Sequence, residues 1–289
     1  MHICVCVKQT PDSGSVYIDP ISGQVDEERF VQVLNPADAC ALEAGVRIKE
    51  QWGGTLLALT LGPGDAEGAL RAALAMGADT VARLWSSQAS SWGPFTVASA
   101  LAGYIRNEIA APDLVVCGDS ASDWAGGVVG PMLAEKLDLP QITGVTQLEL
   151  IKDAGTVSLQ VTRKLEGGYR ELLEAQLPLL ITVTSELNEP RYPSLPAHLA
   201  ALRAGIPVCD ATTLLSSGQQ EEFDETLEMH IPRPRAKRIA APDSRHSAFE
   251  RIGEIISGGA TGRQVHLVEG SPEVLARALL QFLQDKGFL

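Results

Sequence analysis

Residues 112–140 read PDLVVCGDSASDWAGGVVGPMLAEKLDLP. Leu114-Val115-Val116-Cys117 is uncharged and carries two adjacent β-branched residues, the pattern of a short buried strand. The strand stops at Gly118, where Asp119, Ser120, Ser122 and Asp123 supply turn chemistry. A helix is predicted to open around Gly126-Gly127 and to run to Leu137. Strand, small polar loop and glycine-rich helix start together set bare backbone N–H groups at the positive end of a helix dipole. That arrangement is a cradle for phosphate or pyrophosphate. The same residues also read as an ordinary βα turn.

Working outward, strands are predicted over 3–7, 55–61 and 80–84. Helices are predicted over 37–51, with Asn35-Pro36 as start signal, and over 65–76 and 94–109. Tyr17-Ile18 and Val25 flank Ser22-Gly23 as a small surface hairpin. Strand–helix alternation at this spacing predicts an α/β fold, a doubly wound, mostly parallel sheet with helices on both faces. From Thr143 the pattern changes to strands over 146–151, 156–163, 169–173 and 179–183, with turns at Gly155 and Gly167-Gly168. They read as an antiparallel addition that finishes the same domain.

After Ser185 a proline recurs every third residue (Pro190, Pro193, Pro196), which excludes a helix or a central strand. An extended surface segment is expected there, followed by a short helix over 198–204. Residues 210–245 are polar and irregular, with an acidic run over 219–228 and a basic one over 233–238. Helices over 248–256 and 272–286 bracket a strand-like 264–268. The expected organisation is a main domain over 1–185, a docking loop and short helix over 186–209, and a C-terminal arm and extension over 210–289.

A formal net charge of -13 over 289 residues disfavours binding to nucleic acid or to anionic membrane. MHICVCVKQTPD reads as a first strand rather than a signal peptide. Cysteines 4, 6, 40, 117 and 209 form no CxxC pair. Cys4 and Cys6 fall on one face of one strand, which suits packing rather than metal binding. A reducing, cytoplasmic setting is the simplest assignment. Gly62-Pro63-Gly64 with Gly68 misses the dinucleotide fingerprint by one position, and no GxxxxGK[ST] run occurs. The five histidines are scattered, so neither a catalytic residue nor a metal site is predicted. Asp123 reads as a site carboxylate or as a helix cap. Arg163 and Lys164 read as hairpin charges or as contacts to an acidic partner or a cofactor phosphate.

An ordered set of segments resembles the β subunit of electron-transfer flavoproteins. It runs through VCVKQTPD (5–12), NPAD (35–38), Gly62-Pro63, LRAALAMGAD (70–79), the 112–140 unit, RKLEGG (163–168) and LNEPRYPSLP (187–196), and covers about the first 200 residues. The resemblance implies a sheet of the adenine-nucleotide-binding type and an electron-transfer subunit that is not a catalyst by itself. It also implies a heterodimer with an α subunit that carries redox-active FAD. This subunit would itself hold AMP, or a second FAD in bifurcating members. Carried over by position, the nucleotide would meet Cys6, Asn35, Asp38, Leu61 and Gly62. It would also meet the loop formed by Gly118, Asp119, Ser120, Asp123, Gly126, Gly127, Val128 and Val129. The proline-rich segment would dock an acyl-CoA-type dehydrogenase or a quinone reductase, with Leu195 as apolar anchor beside Arg191 and Tyr192.

Two departures from the family pattern stand out. Trp124 to Val129 replace the polar Thr, Asn or Gln groups usual there, leaving backbone N–H groups and the helix dipole for a phosphate. Ala201 to Gly205 replace a lysine-rich stretch. The rival readings are a stand-alone adenine-nucleotide sensor or stress-type protein and a nucleotide-cleaving enzyme. A sensor has no need of LNEPRYPSLP.

Overall fold

The computed structural model describes residues 1–17, 19, 29–109, 111–153, 156–215, 246–249, 251–252 and 270–285. The predicted hairpin at Ser22-Gly23, the turn at Gly155, the strand over 264–268 and most of the helix over 248–256 lie outside them. The chain divides into two compact units, Met1–Met229 and His230–Leu289.

The first unit is built on a nine-stranded sheet. Its elements run β1 (His2–Cys6), β2 (Gln9–Pro11), β3 (Gln32–Leu34), α1 (Pro36–Trp52), β4 (Thr55–Leu61), α2 (Glu67–Met76), β5 (Thr80–Trp85), α3 (Pro94–Ile109), β6 (Leu114–Gly118) and α4 (Val129–Leu137). There follow β7 (Gln141–Asp153), β8 (Thr156–Lys164), β9 (Arg170–Gln176), β10 (Leu179–Val183), α5 (Leu195–Arg203) and β11 (Val208–Asp210). The sheet order is β11-β5-β4-β1-β6-β10-β7-β8-β9, and β2 and β3 form a separate antiparallel pair. In the second unit Pro272–Asp285 forms helix α6, near the expected span. Among the described residues no helix is long and apolar enough to cross a membrane.

The period of two along β1 explains the layers. Ile3, Val5 and Val7 face one core with Ala41, Leu42 and Leu70 of α1 and α2. Cys4 faces the other, with Leu101 and Ile105 of α3 and Leu133 of α4, and Cys6 packs against that second core. A sheet covered on both sides needs apolar residues on both, hence the near-continuous runs in β4, β6 and β10.

Three expectations are corrected. Leu179–Val183 is not part of the antiparallel addition: β10 lies between β6 and β7 and is parallel to both, while β7, β8 and β9 make the antiparallel portion. Helix α4 begins at Val129, not at Gly126-Gly127. Helix α5 begins at Leu195, three residues before the predicted start, because the Ser194 hydroxyl accepts the Ala197 N–H and Pro196 fits the first turn. Val208–Asp210 extends the parallel sheet beside β5, and Ala211 is buried in the second core.

Candidate functional site

The sheet changes direction at β1. The chain moves outward from β1 to β4 and β5, then returns to β6 on the opposite side of β1. Open α/β sheets bind ligands outside the carboxyl ends of the strands at such a switch. Here that position is braced by two polar side chains from the start of α1.

Asp38 spans the switch. Its Oδ2 accepts the Lys8 N–H at 2.8 Å, just past β1, and its Oδ1 accepts the Gly118 N–H at 3.0 Å, at the end of β6. One carboxyl group therefore ties both strand ends together. It is only 6% exposed. Burial pushes its pKa up to about 7, against the opposing pull of the two N–H groups, the Asn35 side chain and the Lys8 charge.

Asn35 precedes α1 but does not cap it with its side chain. Instead its Nδ2 donates to the Ser120 carbonyl at 2.9 Å and its Oδ1 accepts the Ser122 N–H at 3.1 Å. Asn35 thus acts as a two-point clamp on the loop after β6. Ser122 Oγ reaches Thr10 Oγ1 at 2.9 Å, and the Asp119 N–H donates to the Val183 carbonyl of β10 at 2.8 Å. These bonds fix the path of 119–122 from three directions.

Beyond the clamp the loop is exposed. Asp123 does not cap α4, which starts six positions later; its carboxylate accepts the Trp124 N–H and pairs with Lys8 Nζ at 2.5 Å. Ala125 (φ 51°) and Gly127 (φ 64°) both enter the left-handed region. Among the described residues, no carbonyl or side chain of the chain takes the N–H groups of Gly126, Gly127 or Val128. Val129 opens α4, so these donors lie at the positive end of its dipole.

The remaining candidates flank this loop. Cys6 and Cys117 are register partners on β1 and β6. A hydrogen bond to Cys117 favours the Cys6 thiolate. The Cys4 thiol, burial and the Asp38 charge outweigh it, so the thiol stays well above its ordinary value. Cys6 is therefore a neutral group at the carboxyl end of β1. Leu61 and Gly62 end β4, next to β1, where the Gly62 N–H donates to the Leu84 carbonyl at 3.0 Å. Sequence reasoning gave no individual role to Lys8 or Thr10, and read Ser122 only as turn chemistry. The signal for Lys8 was a cation directly after the first strand. Among the described residues no group of three or more His, Cys, Asp or Glu side chains could hold a metal ion.

The proline-rich segment is strapped to α1. Asn188 Nδ2 donates to the Cys40 carbonyl at 3.0 Å, and Arg47 Nη2 donates to the Glu189 carbonyl at 3.2 Å. Arg191 was a candidate for direct docking, but its guanidinium is engaged within the chain. Nε meets Glu43 Oε2 at 2.8 Å, and Nη1 and Nη2 meet the Glu50 carboxylate at 2.5 and 2.8 Å. Burial opposes ionisation of Glu43, but Arg191 and Arg47 overcome it and hold this carboxyl below its ordinary value. Past Arg191 the chain turns outward. Tyr192 is 100% exposed and Leu195 69% exposed.

A profile of the electron transfer flavoprotein domain matches residues 22–214. The chain is 36% identical over 269 residues to the "Electron transfer flavoprotein subunit beta" of Thermoanaerobacterium thermosaccharolyticum, covering 93% of this chain and 97% of that one. It is 34% identical over 263 residues to "Protein FixA" of Azotobacter vinelandii (88% and 92% covered). To the "Caffeyl-CoA reductase-Etf complex subunit CarD" of Acetobacterium woodii it is 38% identical over 209 residues (72% and 78% covered). By this profile match and these relatives, and with polar side chains bracing the sheet's switch, this chain belongs to the electron transfer flavoprotein family, as a β-subunit-type member.

Proposed function

We propose that this chain pairs with a flavin-bearing α subunit, seats an adenine nucleotide at the carboxyl ends of β1, β4 and β6, and presents α5 to a redox partner. The observation that carries the nucleotide assignment is the set of unpaired N–H groups at Gly126, Gly127 and Val128 beyond a loop clamped by Asn35. Donors of this kind before a helix bind phosphate without side-chain help, so the residues present fit the group despite the missing polar side chains. Lys8 pairs with Asp123 at 2.5 Å on the same loop. Asn35, Asp38, Gly118, Asp119 and Ser120 hold the loop, Cys6, Leu61 and Gly62 wall the cleft, and Val128 and Val129 bring the helix dipole to it.

The chemistry of electron passage belongs to bound flavin, and this chain contributes binding, distance and environment rather than a catalytic group of its own. The partner class is an acyl-CoA-type dehydrogenase or a quinone reductase, and a relative named as a subunit of a caffeyl-CoA reductase-Etf complex supports an oxidoreductase that acts on a CoA ester. All five cysteines are free thiols, which supports a reducing, cytoplasmic compartment. The stand-alone sensor is disfavoured by family membership and by an exposed docking segment that a sensor does not use.

Released nucleotides test the reading. The complex co-expressed with its α subunit is denatured and its small molecules counted by chromatography and mass spectrometry. One FAD with one AMP per heterodimer is the expected content, and two FAD assigns the second flavin to this subunit. A complex without any nucleotide beyond the α-subunit FAD sinks the proposal.

The docking role makes a separate prediction. Leu195→Ser removes an exposed anchor and leaves the nucleotide cleft untouched. It is expected to lower kcat/KM with the partner dehydrogenase by about 10- to 30-fold, the range of an interface hot spot, at unchanged nucleotide content. Steady-state assays with the heterodimer as varied substrate check this.

A further inference from the structure

Helix α5 is short and poorly packed. It spans nine residues, Leu195–Arg203, too few to hold a helix in water without tertiary support. Only Ala201 among its residues is buried, while Leu195, Leu199 and Leu202 are 69%, 43% and 52% exposed. Apolar burial therefore does not decide where the helix sits. Two arginines from outside it supply what packing does not.

At the amino end, Arg191 fixes the entry. Its side chain is bracketed by Glu43 and Glu50, and its own N–H donates to Glu43 Oε2 at 3.1 Å. Backbone and side chain of one residue are thus tied to the same buried carboxylate, four residues before Leu195. At the carboxyl end, Arg71 of α2 closes the helix. Its Nη1 donates to the carbonyls of Ala201 and Leu202 at 2.9 Å each and to that of Ala204 at 3.2 Å. Last-turn carbonyls have no partner inside a helix and carry the negative end of its dipole, so a guanidinium there both satisfies and neutralises them. Arg71 is itself held by Glu67 at 3.3 Å. Glu67 also pairs with Arg83 at 3.2 Å, and Arg83 donates to the Gly62 carbonyl at the end of β4 at 3.3 Å. The helix is thereby anchored to the sheet.

The geometry points to Arg71 and Arg191 as positioning residues for partner docking, holding α5 ready before a partner arrives. This rests on the docking role proposed for Leu195. Preorganisation lowers the ordering cost of association, so its loss weakens encounter without altering the electron step once the complex has formed. A helix carrying Leu195, Leu199 and Leu202 on a tethered loop presents the same groups in many orientations. One fixed at both ends presents them in one.

The test uses the intact heterodimer and compares Arg71→Ala, Arg71→Lys, Arg191→Ala and Leu195→Ser. For both alanine variants KM for the heterodimer is expected to rise about 10-fold with kcat unchanged. Amide hydrogen exchange over 192–203 is expected to accelerate while exchange in β1, β4 and β6 stays at wild-type rates. Arg71→Lys keeps a charge that reaches one carbonyl at a time, and is expected to restore part of the KM. In the Arg71→Ala, Leu195→Ser double variant the effects should fall short of additive, because the anchor that Arg71 positions is gone. Unchanged KM and unchanged exchange in Arg71→Ala and Arg191→Ala, with KM raised in Leu195→Ser, overturns the positioning role and leaves the docking role standing. Wild-type kinetics in Leu195→Ser overturns the docking role itself. If Arg191→Ala destabilises the whole chain by freeing Glu43, the Arg71 pair decides alone.

Discussion

Gly118→Ala is expected to destabilise the protein by about 3–5 kcal/mol and to empty the nucleotide cleft. Gly118 ends β6 at the point where α1 presses closest. A Cβ there would overlap Asp38 Oδ1 and lie 2.9 Å from the Ala37 Cβ and 3.0 Å from the Asp38 backbone nitrogen. Two of those neighbours belong to the first turn of a helix packed on the sheet, so they cannot swing aside as a long side chain could. Relief requires moving α1 away from β6. That breaks the Gly118 N–H bond to Asp38 and loosens the Asn35 clamp on Ser120 and Ser122. Overpacking and the lost bond to the buried carboxyl each cost about 1–3 kcal/mol, and here they add because one displacement causes both. Urea unfolding gives the stability change, and nucleotide released per heterodimer gives the second readout. A variant within about 1 kcal/mol of wild type with full nucleotide content rejects this account of the strand end.

The second large effect is a dependence on pH. With its carboxyl pushed up to about 7 from an ordinary 3.8, Asp38 binds a proton in the folded chain over a range in which the unfolded chain has lost it. The folded state then holds more protons than the unfolded one, so stability falls as pH rises through that window. The contribution is complete below about pH 4 and gone above about pH 7. Between pH 5 and pH 8 the loss is on the order of 3 kcal/mol. Asp38→Asn has no such titration. Subtracting its unfolding free energy from that of wild type at each pH should give a difference that shrinks over this range, whatever the other groups do. A difference that is flat from pH 5 to pH 8 places the carboxyl near its ordinary value and defeats the argument from burial.

What the sequence made legible follows from the range of the forces involved. Thr55–Leu61, Pro94–Ile109 and Leu179–Val183 have the predicted bounds, because local periodicity and the glycine and proline residues around them set their ends. The slot of LLITV in the sheet was not legible. An all-apolar strand states that both faces are covered, not which strands lie beside it. Gly126-Gly127 was read as the start of a helix because glycine composition does not distinguish a first turn from a loop with positive φ, and Gly127 adopts the latter. The true start of α5 was written in Ser194-Leu195-Pro196, a cap followed by an early proline, but the prolines before it favoured an extended reading. Among the site residues, Asn35 and Asp38 were named through a resemblance, whereas their work as clamp and strap depends on bonds to residues 30 to 87 positions away. Arg191 shows the limit most clearly. Its partners Glu43 and Glu50 lie in a helix read only for its apolar spacing.

The placement of β10 bears on how the molecule is made. Its five residues fill the gap between β6 and β7, yet they are translated after both. Until Val183 has left the ribosome, β6 and β7 each stand with one open edge, exposed to pairing with neighbouring chains. Nascent chains stalled short of this point are therefore the species that most need a chaperone, and completion of one five-residue segment ends that hazard.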